Sequence, residues 1–280
     1  MEKLSNYSEL VMFQHSIFSL PFIFIAMLVA ADGWFGWKLF FLGILAAVSA
    51  RNFAMGVNRY LDRDIDIRNP RTKGRPSVDG RVDEKSLQLF IAGNALLFII
   101  TAFFINTLAL VLSVPILFIL AAYTYFKRFS AAAHLILGVS LGLAPIAGAV
   151  AVLGDIPLWS VYLAVGVTFW VAGFDLLYSL QDMAFDRANG LHSIPAKRGE
   201  KKTMMIAGLS HLVSLIFWGL FVSPSGIGSY GVLAVIVSAL LLGYEHYLVF
   251  DNPKKIDKAF FTVNGYLGFV FLIFIILGVS

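Results

Sequence analysis

Apolar residues run through this chain in nine long blocks, separated by short polar stretches instead of alternating with polar positions. The blocks cover roughly 14–32, 38–60, 86–105, 108–126, 132–153, 158–181, 203–222, 229–249 and 259–279. Most approach the ~20 apolar residues that a helix needs to cross a bilayer. Backbone in lipid must satisfy its own hydrogen bonds, and runs this long and continuous favour helices over barrel strands. The pattern predicts an all-α, polytopic membrane protein, a bundle of about nine transmembrane helices forming one domain over residues 1–280. The first block follows a short polar leader in which Lys3 is the fixed positive charge. Ala30-Ala31-Asp32 is a poor cleavage site, so a retained first helix is expected in place of a signal peptide.

The polar stretches between the blocks carry an orientation signal. Arg63, Arg68, Arg71, Lys73, Arg75, Arg81 and Lys85 fall between blocks two and three, and Lys127 and Arg128 between four and five. Arg187, Lys197, Arg198, Lys201 and Lys202 lie between six and seven, and Lys254, Lys255 and Lys258 between eight and nine. The opposite loops hold only Lys38. Positive-inside logic puts the N-terminus and the charged loops in the cytoplasm of a prokaryotic cell, with the chain in its inner (plasma) membrane and Ser280 outside. The long loops 67–84 and 187–201 contain Asn69-Pro70, Asp79-Gly80 and Asn189-Gly190, which are turn formers. Their size suggests a cap over a cytoplasm-facing active-site cavity, although ordinary connecting loops have the same composition.

Composition narrows the chemistry. Charged residues make up 14% of the chain, against about a quarter in soluble domains. There is no cysteine, which removes disulfides, thiolate metal sites and a Cys nucleophile together. Carboxylate and carbonyl oxygens remain, and these suit hard cations such as magnesium. The net charge of +4 is modest and sets orientation; it does not point to nucleic acid. No P-loop, Gly-x-Ser-x-Gly elbow or zinc-type His pair is present.

Two acidic clusters end blocks two and six, Asn58-x-x-x-Asp62-x-x-x-Asp66 and Asp175-x-x-Tyr178-x-x-x-Asp182-x-x-x-Asp186. Residues four apart share a helix face, so each cluster presents two carboxylates in one direction. Carboxylates at helix C-termini oppose the helix dipole unless a cation compensates. One such pair alone reads as a solvated helix end paired with Arg63 or Arg187. Two copies on parallel helices four spans apart, a weak internal repeat, favour Asp62, Asp66, Asp182 and Asp186, with Asn58, as metal ligands that could hold a diphosphate. Lys127 and Arg128 serve either as a topology anchor or as a phosphate clamp.

Arg51 lies seven residues before Asn58, and Asp175 seven before Asp182, so each sits about 10 Å deeper on its motif's stripe. Ionisable groups at that depth should face a cavity or a partner. One reading is an Arg51–Asp175 ion pair. The other is a substrate subsite, with Arg51 on a carboxylate and Asp175 on a hydroxyl or a developing positive charge. Gln14 and His15, Glu245-His246, Asn94 and Asn264 are weaker signals. Interfacial placement accounts for the first two pairs and helix-to-helix hydrogen bonding for the asparagines.

Together these residues resemble the UbiA superfamily of intramembrane prenyltransferases across essentially the whole chain. The two Asp-rich motifs, Lys127-Arg128 after an aromatic run, Arg75-Pro76, Asp79-Gly80-Arg81 and Gly190-Leu191-His192-Ser193-Ile194-Pro195 carry the likeness. The nearest branch is the 4-hydroxybenzoate polyprenyltransferases, including relatives that prenylate 1,4-dihydroxy-6-naphthoate in the futalosine route to menaquinone. The chain departs from the better-known ubiquinone enzymes at Arg59, Thr124, His192 and Phe13-Gln14-His15-Ser16. The resemblance implies nine helices, Mg2+ as cofactor, a polyprenyl diphosphate donor, a hydroxyaromatic acid as acceptor and a lateral opening to membrane lipid. It also implies that Tyr178 orients the diphosphate or the allylic carbon. Two alternatives are prenyl transfer to homogentisate, a chlorin, haem or a glycerol-phosphate lipid, and, in another class, a secondary transporter or cation channel.

Overall fold

The computed structural model describes residues 2–11, 20–126, 128–251 and 256–279. They form helices α1 (Glu2–Leu10), α2 (Leu20–Ala31), α3 (Trp37–Leu61), α4 (Arg63–Asp66), α5 (Glu84–Ile105), α6 (Thr107–Phe126) and α7 (Ala133–Leu153). There follow α8 (Leu158–Tyr178), α9 (Met183–Ala188), α10 (Ile194–Arg198), α11 (Glu200–Ser225), α12 (Ser229–Asp251), α13 (Ile256–Lys258) and α14 (Asn264–Gly278). No strand occurs among the described residues. Eight helical segments are long and apolar enough to span a membrane. The ninth apolar helix, α2, has 12 residues and rises about 18 Å. That is less than a bilayer core, and residues 14–19 of the expected span 14–32 lie outside the described residues.

Local chemistry explains where the helices begin and end. Asp83 caps α5 by accepting from Ser86 N at 3.0 Å, and Ser193 caps α10 by accepting from Ala196 N at 3.3 Å, with Pro195 in the first turn. Gly154 closes α7 in the left-handed conformation, φ 66°.

The core sits around α8, which packs against α7 on one side and α11 on the other. Phe22 of α2, Trp170 of α8, Trp218 of α11 and Phe271 of α14 are fully buried and meet at ring-centroid distances of 5.2–6.1 Å. Large apolar side chains point outward elsewhere, among them Phe103 of α5, Phe118 of α6 and Phe250 of α12, as a lipid-facing surface requires. The α7–α8 crossing is close because α7 offers small residues. A Cβ on Gly142 would stand 2.7 Å from Ala164 O, and one on Gly138 would collide with Thr168 O.

Each acidic cluster falls at a break in its helix. Two faces of continuous helices were expected, but α3 ends at Leu61, Asp62 is the junction, and α4 carries Asp66. In the second arm α8 ends at Tyr178, a 3-10 turn runs Ser179–Asp182, and α9 carries Asp186. The i to i+4 register survives the first break, since Asp66 N donates to Asp62 O at 2.8 Å.

Candidate active site

A cavity of about 340 Å³ opens between the two broken arms. Arg51, Asn58, Asp62 and Asp66 line it from the first arm, and Asp175, Tyr178, Asp182 and Asp186 from the second. A hydrogen-bond chain fixes the first arm. Buried Arg59 donates to Leu10 O at 3.1 Å and to Asn58 Oδ1 at 2.9 Å, and Asn58 Nδ2 donates to Asp62 Oδ2 at 2.9 Å. Arg59 thus turns the Asn58 amide toward the aspartate. Thr124, at the end of α6, accepts from the same amide at 3.4 Å.

The loop between α4 and α5 closes the mouth. Asn69 Nδ2 reaches across to Asp182 Oδ1 at 3.3 Å, and Arg71 grips the same carboxylate with Nε at 3.0 Å and Nη2 at 2.5 Å. Arg71 also lies 5.7 Å over the Tyr178 ring. Arg75 holds Asp66 at 2.6 Å. Sequence reasoning placed Arg71 in the orientation signal alone, and Arg75 there and in the family likeness, with no site role for either; the structure puts both in the cavity lining. Seven cations in one loop was the available signal, but it does not say which of them turn inward. His192 and Ser193, from the second long loop, line the cavity as well.

Other expectations need correction. Arg128 is not in the cavity lining. It binds Asp64 (Nη2–Oδ1 2.6 Å, Nη1–Oδ2 3.2 Å) and the Leu61 carbonyl, where it holds the Asp64 carboxyl below the usual carboxylate range. Lys127 lies outside the described residues, as do Gln14 and His15. Asp175 does not pair with Arg51. Its Oδ2 stands 2.6 Å from Nδ1 of His134, a cavity residue the sequence gave no pattern to find. Glu245 is not an interfacial anchor. It is buried, accepts from Asn264 Nδ2 at 2.6 Å, and Asn264 Oδ1 accepts from Trp170 Nε1 at 2.8 Å, so the three tie α12, α14 and α8 together. His246 lies beside it in contact with His211 of α11 at 2.9 Å, while Asn94 donates to Phe90 O within its own helix.

The donor set suits a hard divalent cation: five carboxylates, four of them at the rim, and two amides line one cavity, and the chain has no thiol. Among the described residues no three acidic or His side chains already converge as a closed cage. The carboxylates of Asp66 and Asp182 are held instead by Arg75 and Arg71. A diphosphate brings its own oxygens as ligands, so an open carboxylate rim fits a shared site better than a closed one would.

A second, apolar cavity of about 140 Å³ adjoins the first. Arg51, Met55, Tyr123, Leu137 and Leu141 line both. The rest of its wall is apolar or small, including Ala46, Ala47, Ala50, Phe98, Leu120 and Ala144. Arg51 therefore stands where a charged chamber passes into a greasy one. Its Nη2 lies 3.5 Å from Val11 O.

Comparison with known proteins bears on this geometry. The profile described as "UbiA prenyltransferase family" matches residues 19–275. A 4-hydroxybenzoate octaprenyltransferase from Marinomonas sp. is 34% identical over 227 residues, covering 78% of this chain and 78% of its own. Another from Albidiferax ferrireducens is 28% identical over 89% of this chain and 83% of its own. Among solved structures, the apo UbiA homolog from Aeropyrum pernix K1 superposes with a TM-score of 0.85 at 31% identity, covering 94% of this chain and 97% of that one. A UbiA homolog from Archaeoglobus fulgidus, bound to GPP and Mg2+, shares the fold with a TM-score of 0.77 at 18% identity, covering 98% and 99%.

Proposed function

This chain belongs to the UbiA prenyltransferase family and is an aromatic prenyltransferase of the membrane, and from that premise we infer that it moves a polyprenyl group from its diphosphate onto a hydroxyaromatic acid, with magnesium at the Asp62/Asp66/Asp182/Asp186 rim. One observation carries the reading. The carboxylate-lined chamber continues, past the guanidinium of Arg51 that lines both, into an apolar cavity. A substrate with a diphosphate head and a hydrocarbon tail, meeting a small acid between them, has that sequence of chemistries. The donor and metal seen in the Archaeoglobus fulgidus homolog, and the acceptor in the names of the bacterial relatives, are of the same kind.

Each residue's part follows from its position. When bound, magnesium supplies Lewis-acid stabilisation of the departing diphosphate. Asp62, Asp66, Asp182 and Asp186 supply its oxygen ligands, and Asn58, oriented by Arg59, adds an amide at the same rim. Arg71 and Arg75 pair with Asp182 and Asp66 and offer guanidinium donors to phosphate oxygens at the mouth. Lys127 and Arg128 add positive charge that offsets the charge of the diphosphate. Tyr178, beneath Arg71, orients the diphosphate or the allylic carbon. Arg51 holds the acceptor's carboxylate beside the apolar cavity, which takes the first isoprene units of the donor. Asp175 activates the acceptor hydroxyl or stabilises the allylic cation. The tail stays in hydrocarbon throughout, so the reaction needs a membrane-embedded catalyst. The mouth faces the cytoplasm, where positive-inside logic puts the loops carrying Arg71 and Arg75.

Either 4-hydroxybenzoate or 1,4-dihydroxy-6-naphthoate satisfies an acceptor with one carboxylate and an electron-rich phenolic ring. Membranes bearing the protein, given a short prenyl diphosphate, Mg2+ and a panel of hydroxyaromatic acids, should yield a prenylated acid by mass spectrometry. Product only from homogentisate, a chlorin or a glycerol-phosphate lipid would refute the assignment of an aromatic acid with its carboxylate on Arg51.

A further inference from the structure

His134 has no part in the account above, yet its surroundings are those of a working base. It occupies the first turn of α7, and its side chain is 9% exposed. Nδ1 stands 2.6 Å from Asp175 Oδ2. A carboxylate oxygen at this distance accepts from Nδ1–H, and in the neutral ring that arrangement puts the lone pair on Nε2. Among the described residues nothing hydrogen-bonds that buried Nε2, although His134 lines the polar cavity. A buried ring nitrogen without a partner is costly unless a ligand completes it.

The dyad is built by the close crossing described above. Gly138, one turn beyond His134, lies against the α8 backbone at Thr168 and Ala172. Ala172 is one turn short of Asp175 on the same helix, so the glycine contact brings the imidazole to the carboxylate. The other titratable groups lining the cavity are Arg51 and Arg59 of α3, Tyr123 of α6 and Tyr178 of α8, with the four rim aspartates, Arg71, Arg75 and His192 toward the mouth.

We propose that His134 is the general base of the prenyl transfer, its Nε2 receiving the proton that the acceptor ring loses, while Asp175 fixes the ring and stabilises the imidazolium. The inference rests on the aromatic acceptor assigned above. The allylic C–O bond breaks and its electron pair leaves with the diphosphate. A π pair of the ring forms the new C–C bond. The C–H bond at the attacked carbon then breaks, its electrons restore aromaticity, and the proton passes to Nε2 and afterwards to water at the cavity mouth. Nothing is oxidised or reduced. Asp175 keeps accepting from Nδ1 throughout, as the orienting carboxylate of a dyad does.

The test uses the full chain in membranes, with His134→Asn, whose amide can still donate to Asp175, and His134→Ala as a second variant. Prenylated product, donor KM and the rate ratio between ring-protonated and ring-deuterated 4-hydroxybenzoate (or dihydroxynaphthoate, whichever the wild type accepts) are measured. Both variants should lose about 10²–10⁴-fold in product formation at unchanged donor KM, the usual range for a lost general base. Proton removal should then become rate-limiting, so a primary deuterium isotope effect appears that the wild type lacks, and imidazole added to His134→Ala should restore product. Near-normal turnover in the variants overturns the proposal. So does a loss in which donor KM deteriorates in parallel and no isotope effect emerges, since that is the behaviour of a packing residue. A wild type that prenylates no hydroxyaromatic acid overturns this inference and the aromatic-acid reading together.

Discussion

Replacing Asp182 with Ala separates what the rim does for the fold from what it does for the reaction. Arg71 binds this carboxylate through two contacts, at 3.0 and 2.5 Å, and Asn69 adds a third at 3.3 Å. Charge-assisted hydrogen bonds contribute about 1.5–3 kcal/mol each when shielded from water. Here the Arg71 side chain is 38% exposed and that of Asp182 21%, so solvent takes over much of what is lost. The stability cost of Asp182→Ala should fall to about 1 kcal/mol. In a protein of this length that shifts thermal unfolding by about 2–4 °C. The catalytic cost is set elsewhere. Removing one preorganised group from the place where charge develops typically costs about 2.7–4 kcal/mol, or ~10²–10³ in turnover. The expected result is a split: diphosphate release and prenylated product fall by ~10²–10³ at saturating Mg2+ and donor, while the melting temperature in detergent hardly moves. Near-normal turnover would refute the role given to the rim. An activity loss accompanied by collapse of the fold would show that Asp182 serves mainly as the anchor of the Arg71 loop.

Arg51→Ala should raise the KM for an aromatic acid about 10–100-fold, the value of one shielded charge-assisted contact. It should leave a decarboxylated analogue unaffected, and equal penalties on both acceptors would remove Arg51 from carboxylate recognition. Ala144→Phe should fill much of the apolar cavity of about 140 Å³ and depress turnover of long-chain donors more than of dimethylallyl diphosphate, which steady-state kinetics across a donor series would read. Gly142→Leu puts a side chain where even a Cβ lies 2.7 Å from Ala164 O, so overpacking should destabilise the α7–α8 pair by about 1–3 kcal/mol in a thermal melt. An unchanged melting temperature would mean that this glycine does not set the helix spacing.

Several features of this protein were legible in one dimension because the physics behind them is local. Lipid forces the backbone to bond to itself, so uninterrupted apolar blocks report helices and their approximate limits, and α3, α5, α6, α7, α8, α11 and α12 lie within a few residues of the predicted spans. Helical register is equally local, and Asn58, Asp62 and Asp66 keep their i to i+4 relation although α3 breaks at Leu61. The two acidic arms could therefore be named before any coordinates were known. The choice of partner was not legible. Arg71 and Arg75 reach the rim from a loop whose seven cations look alike in sequence, and loop conformation alone selects them. Arg128 sits beside an aspartate outside the motifs, held there by Asp64 and the Leu61 carbonyl, although Tyr123 a few residues earlier reaches the cavity. The Glu245–Asn264–Trp170 link ties α12 and α14 to α8, whose Trp170 lies 94 positions before Asn264. His134 meets Asp175 because glycines let α7 approach α8, a contact between residues 41 positions apart. Spans and register depend on the residue and its near neighbours; the identity of a buried polar partner depends on how whole helices pack, which no local pattern encodes.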